Sequence, residues 1–225
     1  MPSAQVENYL KNIYKLQDLE GRVTTSVLSE KLQLSPPSVT EMIKKLADDG
    51  SVTYTPYKGV ELTEEGRRKA LRIIRRHRLW ELFLVQVLRF EWDEIDEEAE
   101  RLEHSTSERL EQRIDEILGY PDRDPHGDAI PTAEGLVSAP DHASLASVLP
   151  GSRVRVARVN DERAEVLQYM SKLGIGLGTE MTISERIDFD GSLRVDVGAK
   201  QEFISSKLAQ YIFVEVLNIR EKVPV

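Results

Sequence analysis

The stretch LSEKLQLSPPSVTEMIKKLADDG, Leu28 to Gly50, has a proline pair near its middle and no glycine before its end. That leaves the first part of this chain few ways to fold. RVTTSVLSEKLQLS reads as a short helix with Thr24 or Thr25 near its start, and a second helix follows after a very short turn. Ser35 is the candidate N-cap of that second helix, Pro36 fits its first helical position, and Gly50 supplies the stop. Val39, Met42, Ile43 and Leu46 recur at helical spacing and mark its inward face. Upstream, Val6, Tyr9, Leu10, Ile13, Tyr14 and Leu16 predict an amphipathic helix over residues 5–20. Downstream, SVTYTPYKGVELTEEG alternates like a two-stranded hairpin turning at Tyr57–Gly59. Helix, helix–turn–helix and hairpin within residues 1–65 is the order of a winged helix–turn–helix. The plainer alternative is a generic small α+β domain.

The remainder divides by pattern. A long helix is expected from Glu64 to Phe90, apolar on more than one face, which suggests burial against a partner subunit as well as against its own chain. WDEIDEEAERLEHSTSERLEQRIDEILG supplies a further helix or two ending at Gly119, and YPDRDPHGDAIP is a turn segment. Residues 133–149 read as a linker. From Pro150 onward, five short strands and one short helix predict a small barrel.

Charge is distributed unevenly over these segments. The chain carries a net charge of -9. Residues 1–75 contribute +2, residues 76–141 contribute -11 without a single lysine, and residues 142–225 balance. Such asymmetry points to different tasks for different segments. With no cysteine, disulfides, thiolate zinc sites and iron–sulfur ligation are excluded. The start lacks a secretory pattern and no apolar run is long enough to span a membrane, so a cytoplasmic protein with no membrane partner is expected.

The acidic segment holds the strongest candidate chemistry. On a helix, Asp96, Glu100, Glu103 and His104 stand three or four positions apart, and His77 and Glu81 repeat that spacing earlier. Two such helices facing one another would build a site of oxygen and imidazole donors, suited to Mn²⁺ or Fe²⁺ and also accepting Zn²⁺. The competing reading is an ordinary solvated helix face. No paired-carboxylate cleft, serine elbow or phosphate-cradling glycine motif is evident.

Taken in order, YLKNIYKL, LSPPSVTEMIKKLADDG, GVELTEEGRRKA, RRHRLWELFL, EEAERLEH and DPHGDAIP resemble the diphtheria-toxin-repressor family of metal-dependent transcriptional regulators in its three-domain form. The resemblance implies an α+β chain: a winged helix–turn–helix DNA-binding domain at 1–65, a helical dimerisation and metal-binding domain at 66–141, and an SH3-like small β-barrel at 148–220. It implies a primary metal site at Glu100, Glu103 and His104, completed from the first helix by Asn8 or Glu7. Glu100 at its position resembles manganese-sensing members, whereas Lys11 stands where those members have a second acidic ligand. An ancillary site is implied at His77, Glu81, Asp96, Glu162 and Glu165.

The same resemblance implies a homodimer on palindromic double-stranded operator DNA. Ser35, Ser38 and Thr40 offer hydroxyls to phosphates, Pro37 an apolar ring to a thymine methyl, Lys44 a further contact, and Tyr57 with Lys58 a reach from the hairpin tip. The expectation is therefore a non-enzymatic repressor of metal-homeostasis genes with Mn²⁺ as its cofactor. An Fe²⁺-responsive repressor is the close alternative. A metal-assisted hydrolase and a winged-helix dimer indifferent to metal are the others.

Overall fold

A computed structural model describes residues 3–20, 23–138, 140–160 and 163–219. The chain separates into two compact units, one comprising Met1–Trp80, Ala99–Tyr120 and Ile130–Val137, the other Glu81–Glu98, Pro121–Ala129 and Ser138–Val225.

In the first unit, α1 (Ala4–Glu20), α2 (Thr25–Leu32) and α3 (Pro36–Asp48) precede an antiparallel hairpin of β1 (Val52–Thr55) and β2 (Gly59–Leu62). The caps follow from the sequence: Thr24 accepts from the backbone N–H of Val27, and Ser35 accepts from that of Ser38, with proline in the first turn of α3. Tyr9, Leu10 and Ile13 of α1, Leu28 of α2, Val39, Ile43 and Leu46 of α3, and Val52 and Val60 of the hairpin close over one core. Val23 bridges to Val60 and gives the hairpin a third, single-residue rung. This is the winged helix–turn–helix expected of residues 1–65.

Helix α4 runs Glu64–Gln86, four residues shorter at its end than expected, because Arg89 takes a left-handed conformation at φ 63° just beyond it. Ala70, Leu71, Ile73, Ile74, Leu79, Leu82 and Leu84 are buried within the chain. Exposed apolar side chains include Leu110 and Ile117 of α6 (Glu108–Leu118), and Val87, Leu88 and Phe90 after α4. Between them in sequence lies α5 (Asp96–Glu103).

The second unit carries a six-stranded sheet in the order β3-β8-β4-β5-β6-β7, formed by Ala143–Ser144, Ile212–Ile219, Ser152–Val159, Glu180–Arg186, Leu193–Val197 and Lys200–Ile204. The five strands expected after Pro150 are all present, joined by the short β3. The expected closed SH3-like barrel is not. The sheet is open, with β3 and β7 at its two edges and no ladder joining them among the described residues. Closure is replaced by coverage: α7 (Ala164–Leu173) and α8 (Ser206–Ala209) lay Leu167, Met170 and Leu208 over a core of Val154, Val156, Ile183, Leu193 and Val195.

Gly66 permits a close approach in the first unit, since a Cβ built there would lie 1.9 Å from the carbonyl oxygen of Ser51. Gly66→Ala is expected to destabilise the protein by about 2 kcal/mol, because the start of α4 must move off the hairpin. Denaturant unfolding checks this, with a lowered midpoint as the expected result.

Candidate metal centre

In the first unit, α1 turns Glu7, Asn8 and Lys11 toward one side at spacings of three and four. Glu7 is 7% exposed and Lys11 4%, values that mark them as functional or paired rather than solvated. Helix α5 and the residue after it bring Glu100, Glu103 and His104, and α4 brings His77. The Lys11 ammonium donates to Glu103 Oε1 at 2.7 Å and also to Glu100 Oε2. His77 Nδ1 lies 2.6 Å from Glu103 Oε2, and His104 Nδ1 lies 2.6 Å from Glu7 Oε2. On its other side His104 Nε2 stands 3.4 Å from Glu103 Oε1 and 3.9 Å from Glu100 Oε1.

Glu103 is fully buried. Burial pushes its carboxyl up, but the hydrogen bond from His77 and the charges of Lys11 and His77 outweigh that effect and hold it below the ordinary carboxylate range. Helix α1 is thus tied to α5 and its C-terminal end by two polar links, Glu7–His104 and Lys11–Glu100/Glu103. From sequence alone, α1 has no evident reason to stay near these carboxylates unless an ion joins them; in the folded chain the lysine supplies one.

The donors fit a divalent cation. His77, Glu100 and Glu103 present ligand atoms within 4.8 Å of one another. His104 Nε2 and the side-chain oxygen of Asn8 are both buried without a hydrogen-bond partner. A buried acceptor in that condition costs free energy that coordination would recover.

A second cluster lies in the second unit, where Glu81, Asp124 and His126 also present ligand atoms within 4.8 Å of one another. All three are buried, and His126 Nδ1 stands 3.8 Å from Glu81 Oε1. Asp124 Oδ1 accepts from the backbone N–H groups of His126 and Asp128, each at 2.9 Å, which fixes the turn. His126 Nε2 meets the carbonyl of Trp92 at 2.8 Å, and the two rings stack at 5.9 Å. The sequence reading takes DPHGDAIP as a turn and assigns it no ligands. A histidine two residues from an aspartate, in a chain with four histidines, was the available signal.

The residues expected at an ancillary site are His77, Glu81, Asp96, Glu162 and Glu165. His77 engages Glu103. Glu81 joins Asp124 and His126, and its carboxylate also lies within 4.8 Å of that of Asp96. Asp96 is exposed and faces a cavity of about 300 Å³ lined by Asp93, Glu94, Glu97 and His126. Glu165 is exposed in the first turn of α7, and Glu162 lies outside the described residues.

The expected DNA contacts sit at the start of α3 and at the hairpin tip. Pro37, Ser38 and Lys44 are exposed. Ser35 and Ser38 share a hydroxyl contact at 2.9 Å, and Thr40 Oγ1 donates to the Pro36 carbonyl at 2.8 Å. Tyr57, fully exposed with φ 64°, stands beside Lys58 at the turn.

A winged helix–turn–helix joined through buried carboxylates and imidazoles to helices of its own unit defines a metal-responsive DNA-binding regulator. Residues 1–60 match the family described as iron dependent repressor, N-terminal DNA binding domain, and residues 63–132 match iron dependent repressor, metal binding and dimerisation domain. Residues 143–216 match the FeoA domain. The diphtheria toxin repressor of Corynebacterium efficiens is 34% identical over 191 residues, 79% of this chain and 81% of that protein. A solved manganese-dependent transcriptional repressor in complex with manganese is 40% identical, covers 94% of this chain and 100% of its own, and superposes with a TM-score of 0.87. The manganese regulator SloR is 33% identical, with coverage of 96% and 99% and a TM-score of 0.76. The chain belongs to the iron-dependent, or diphtheria-toxin, repressor family: it is a divalent-metal-activated, DNA-binding transcriptional repressor and not an enzyme.

Because the folded carboxyl of Glu103 is depressed, its contribution to stability is present above the ordinary carboxylate range and is lost as pH falls through the depressed value. In chelator, Glu103→Gln is expected to cost about 3 kcal/mol at neutral pH. The gap from wild type should narrow as the pH falls below about 4, which thermal unfolding at a series of pH values measures.

Proposed function

We propose that this repressor responds to Mn²⁺, works as a homodimer, and binds a palindromic operator controlling metal-homeostasis genes. In this reading residues 1–65 read DNA, residues 66–141 dimerise and hold metal, and residues 148–220 form an accessory open-sheet module. The observation that carries it is the donor set of the first cluster: Glu7, Asn8, Glu100, Glu103, His77 and His104 offer oxygen and imidazole, with no sulfur. Hard donors of this kind suit Mn²⁺, although zinc binds any such site more tightly and is held off in the cell by availability. The solved relatives described as manganese-dependent or as a manganese regulator support the same choice. Fe²⁺ is the second reading, favoured by the iron-dependent names of the two matching family descriptions.

When bound, a divalent ion supplies positive charge to carboxylates contributed by both α1 and α5. The chain's own residues do the rest. Glu7 and Asn8 carry the pull to α1, and α1 packs Tyr9, Leu10 and Ile13 into the core that also seats α3. A small change at Glu7 is thereby passed to the recognition helix through close-packed side chains. In α3, the Ser35 cap and the first-turn amides face the duplex, with Pro37 and Ser38 exposed to it. Leu110 and Ile117, exposed on α6, supply an apolar face for the second protomer. Two recognition helices held by that face meet half-sites about one helical turn apart.

Operator duplexes selected from a random pool by the Mn²⁺-loaded protein provide the test. Chelation is expected to weaken binding by on the order of 10–100-fold, and added Mn²⁺ to restore it. His104→Ala should bind at the chelated level whether or not Mn²⁺ is present. Equal binding by wild-type protein with chelator and with metal would refute the switch, and restoration by anaerobic Fe²⁺ at lower free concentration than Mn²⁺ would favour the iron reading.

A further inference from the structure

The first cluster contains a charged group that a metal site does not ordinarily include. Lys11 reaches from α1 with its side chain 5% exposed, and its ammonium contacts both Glu100 Oε2 and Glu103 Oε1. These are carboxylates of the same His77, Glu100 and Glu103 group whose ligand atoms lie within 4.8 Å of one another. The second edge of the cluster is different. There His104 Nε2 faces Glu103 Oε1 at 3.4 Å and Glu100 Oε1 at 3.9 Å, and that nitrogen has no hydrogen-bond partner. Glu100 Oε2 and Glu103 Oε1 are thus served by a cation, whereas His104 Nε2 is not paired.

We infer that the Lys11 ammonium is a tethered cation standing in for one divalent ion beside His77, Glu100 and Glu103, so that this cluster takes one divalent ion per protomer, on the His104 side, and not two. The inference rests on the metal-responsive reading above. Charge supports it. Glu7, Glu100 and Glu103 bring three negative charges and Lys11 returns one, leaving two for a single divalent ion to neutralise. Two divalent ions with Lys11 in place would leave the buried cluster with an excess of two positive charges, which burial penalises.

Full-length wild type and Lys11→Glu are dialysed to equilibrium against excess MnCl₂, and bound manganese is counted by mass spectrometry. Ions held elsewhere in the chain cancel in the difference. Lys11→Glu is expected to hold one more ion per protomer than wild type, and equal counts in the two folded proteins would overturn the inference. His104→Ala separates this from the underlying reading: it should hold one ion fewer than wild type. Equal counts for His104→Ala and wild type would sink the metal reading itself, whereas a deficit there with no gain in Lys11→Glu sinks only the role given to Lys11. Lys11→Met supplies a readout independent of metal counting. In chelator its melting temperature should fall by on the order of 10 °C, since the buried Glu103 and the partly exposed Glu100 lose their cation. Its rise on adding Mn²⁺ should exceed that of wild type. An unchanged melting temperature in chelator, or a rise no larger than wild type's, would count against the tethered cation.

Discussion

Three carboxylates brought together in a protein interior repel one another by several kcal/mol, about 4 kcal/mol for each pair at 4 Å in a medium of intermediate polarity. Glu7 and Glu103 are buried and Glu100 is partly exposed beside them, and the first unit is organised around their neutralisation. Lys11 answers part of the demand, and the two imidazoles of His77 and His104 orient the carboxylate oxygens. What is left over is the affinity of the site for a cation. The same charges that would make an isolated cluster unstable thus become the means of sensing.

The second cluster solves a similar problem by other means. Glu81, Asp124 and His126 are buried together, and the turn is fixed by backbone amides donating to Asp124. One turn apart on α4, His77 engages Glu103 and Glu81 lies with Asp124 and His126. Their spacing of four, which places two side chains on one helix face, does not decide whether they serve one ion or two. That decision is made by what each meets after folding.

Much of this was legible in the sequence, and the limits have physical causes. The capped turn at Ser35–Pro36 and the apolar series of α3 are local signals, and the winged helix–turn–helix followed from them. The five strands of the C-terminal module were legible for the same reason, because alternation is local. Whether their sheet closes is set by the pairing of its edge strands, β3 and β7, far apart in sequence, and closure was expected where the sheet is open. For α4, burial against its own chain and against a partner were both expected, since periodicity shows that a face is apolar but not what covers it. Lys11 could be read as unable to ligate; that it would be buried against Glu100 and Glu103, residues 89 and 92 positions away, could not. Asp124 and His126 escaped notice because ligands in a turn have no helical period to betray them.

The links that exist without an ion also bound what an ion can do. Since Glu7–His104 and Lys11–Glu100/Glu103 already hold α1 against α5, metal cannot act by joining two parts that were apart. It acts by the difference in its affinity between one arrangement of α1 and another, and a ligand equally content with both shifts nothing. A site drawn tight beforehand offers little such difference unless some donor must move to coordinate. The donors with something to gain are Asn8, whose side-chain oxygen is buried without a partner, and His104 through Nε2. Coordination by either would draw on α1 or on the segment after α5, and α1 packs into the core that seats α3. On that basis the reading head would be adjusted rather than assembled, which is the kind of change a coupling of about 1–3 kcal/mol can supply.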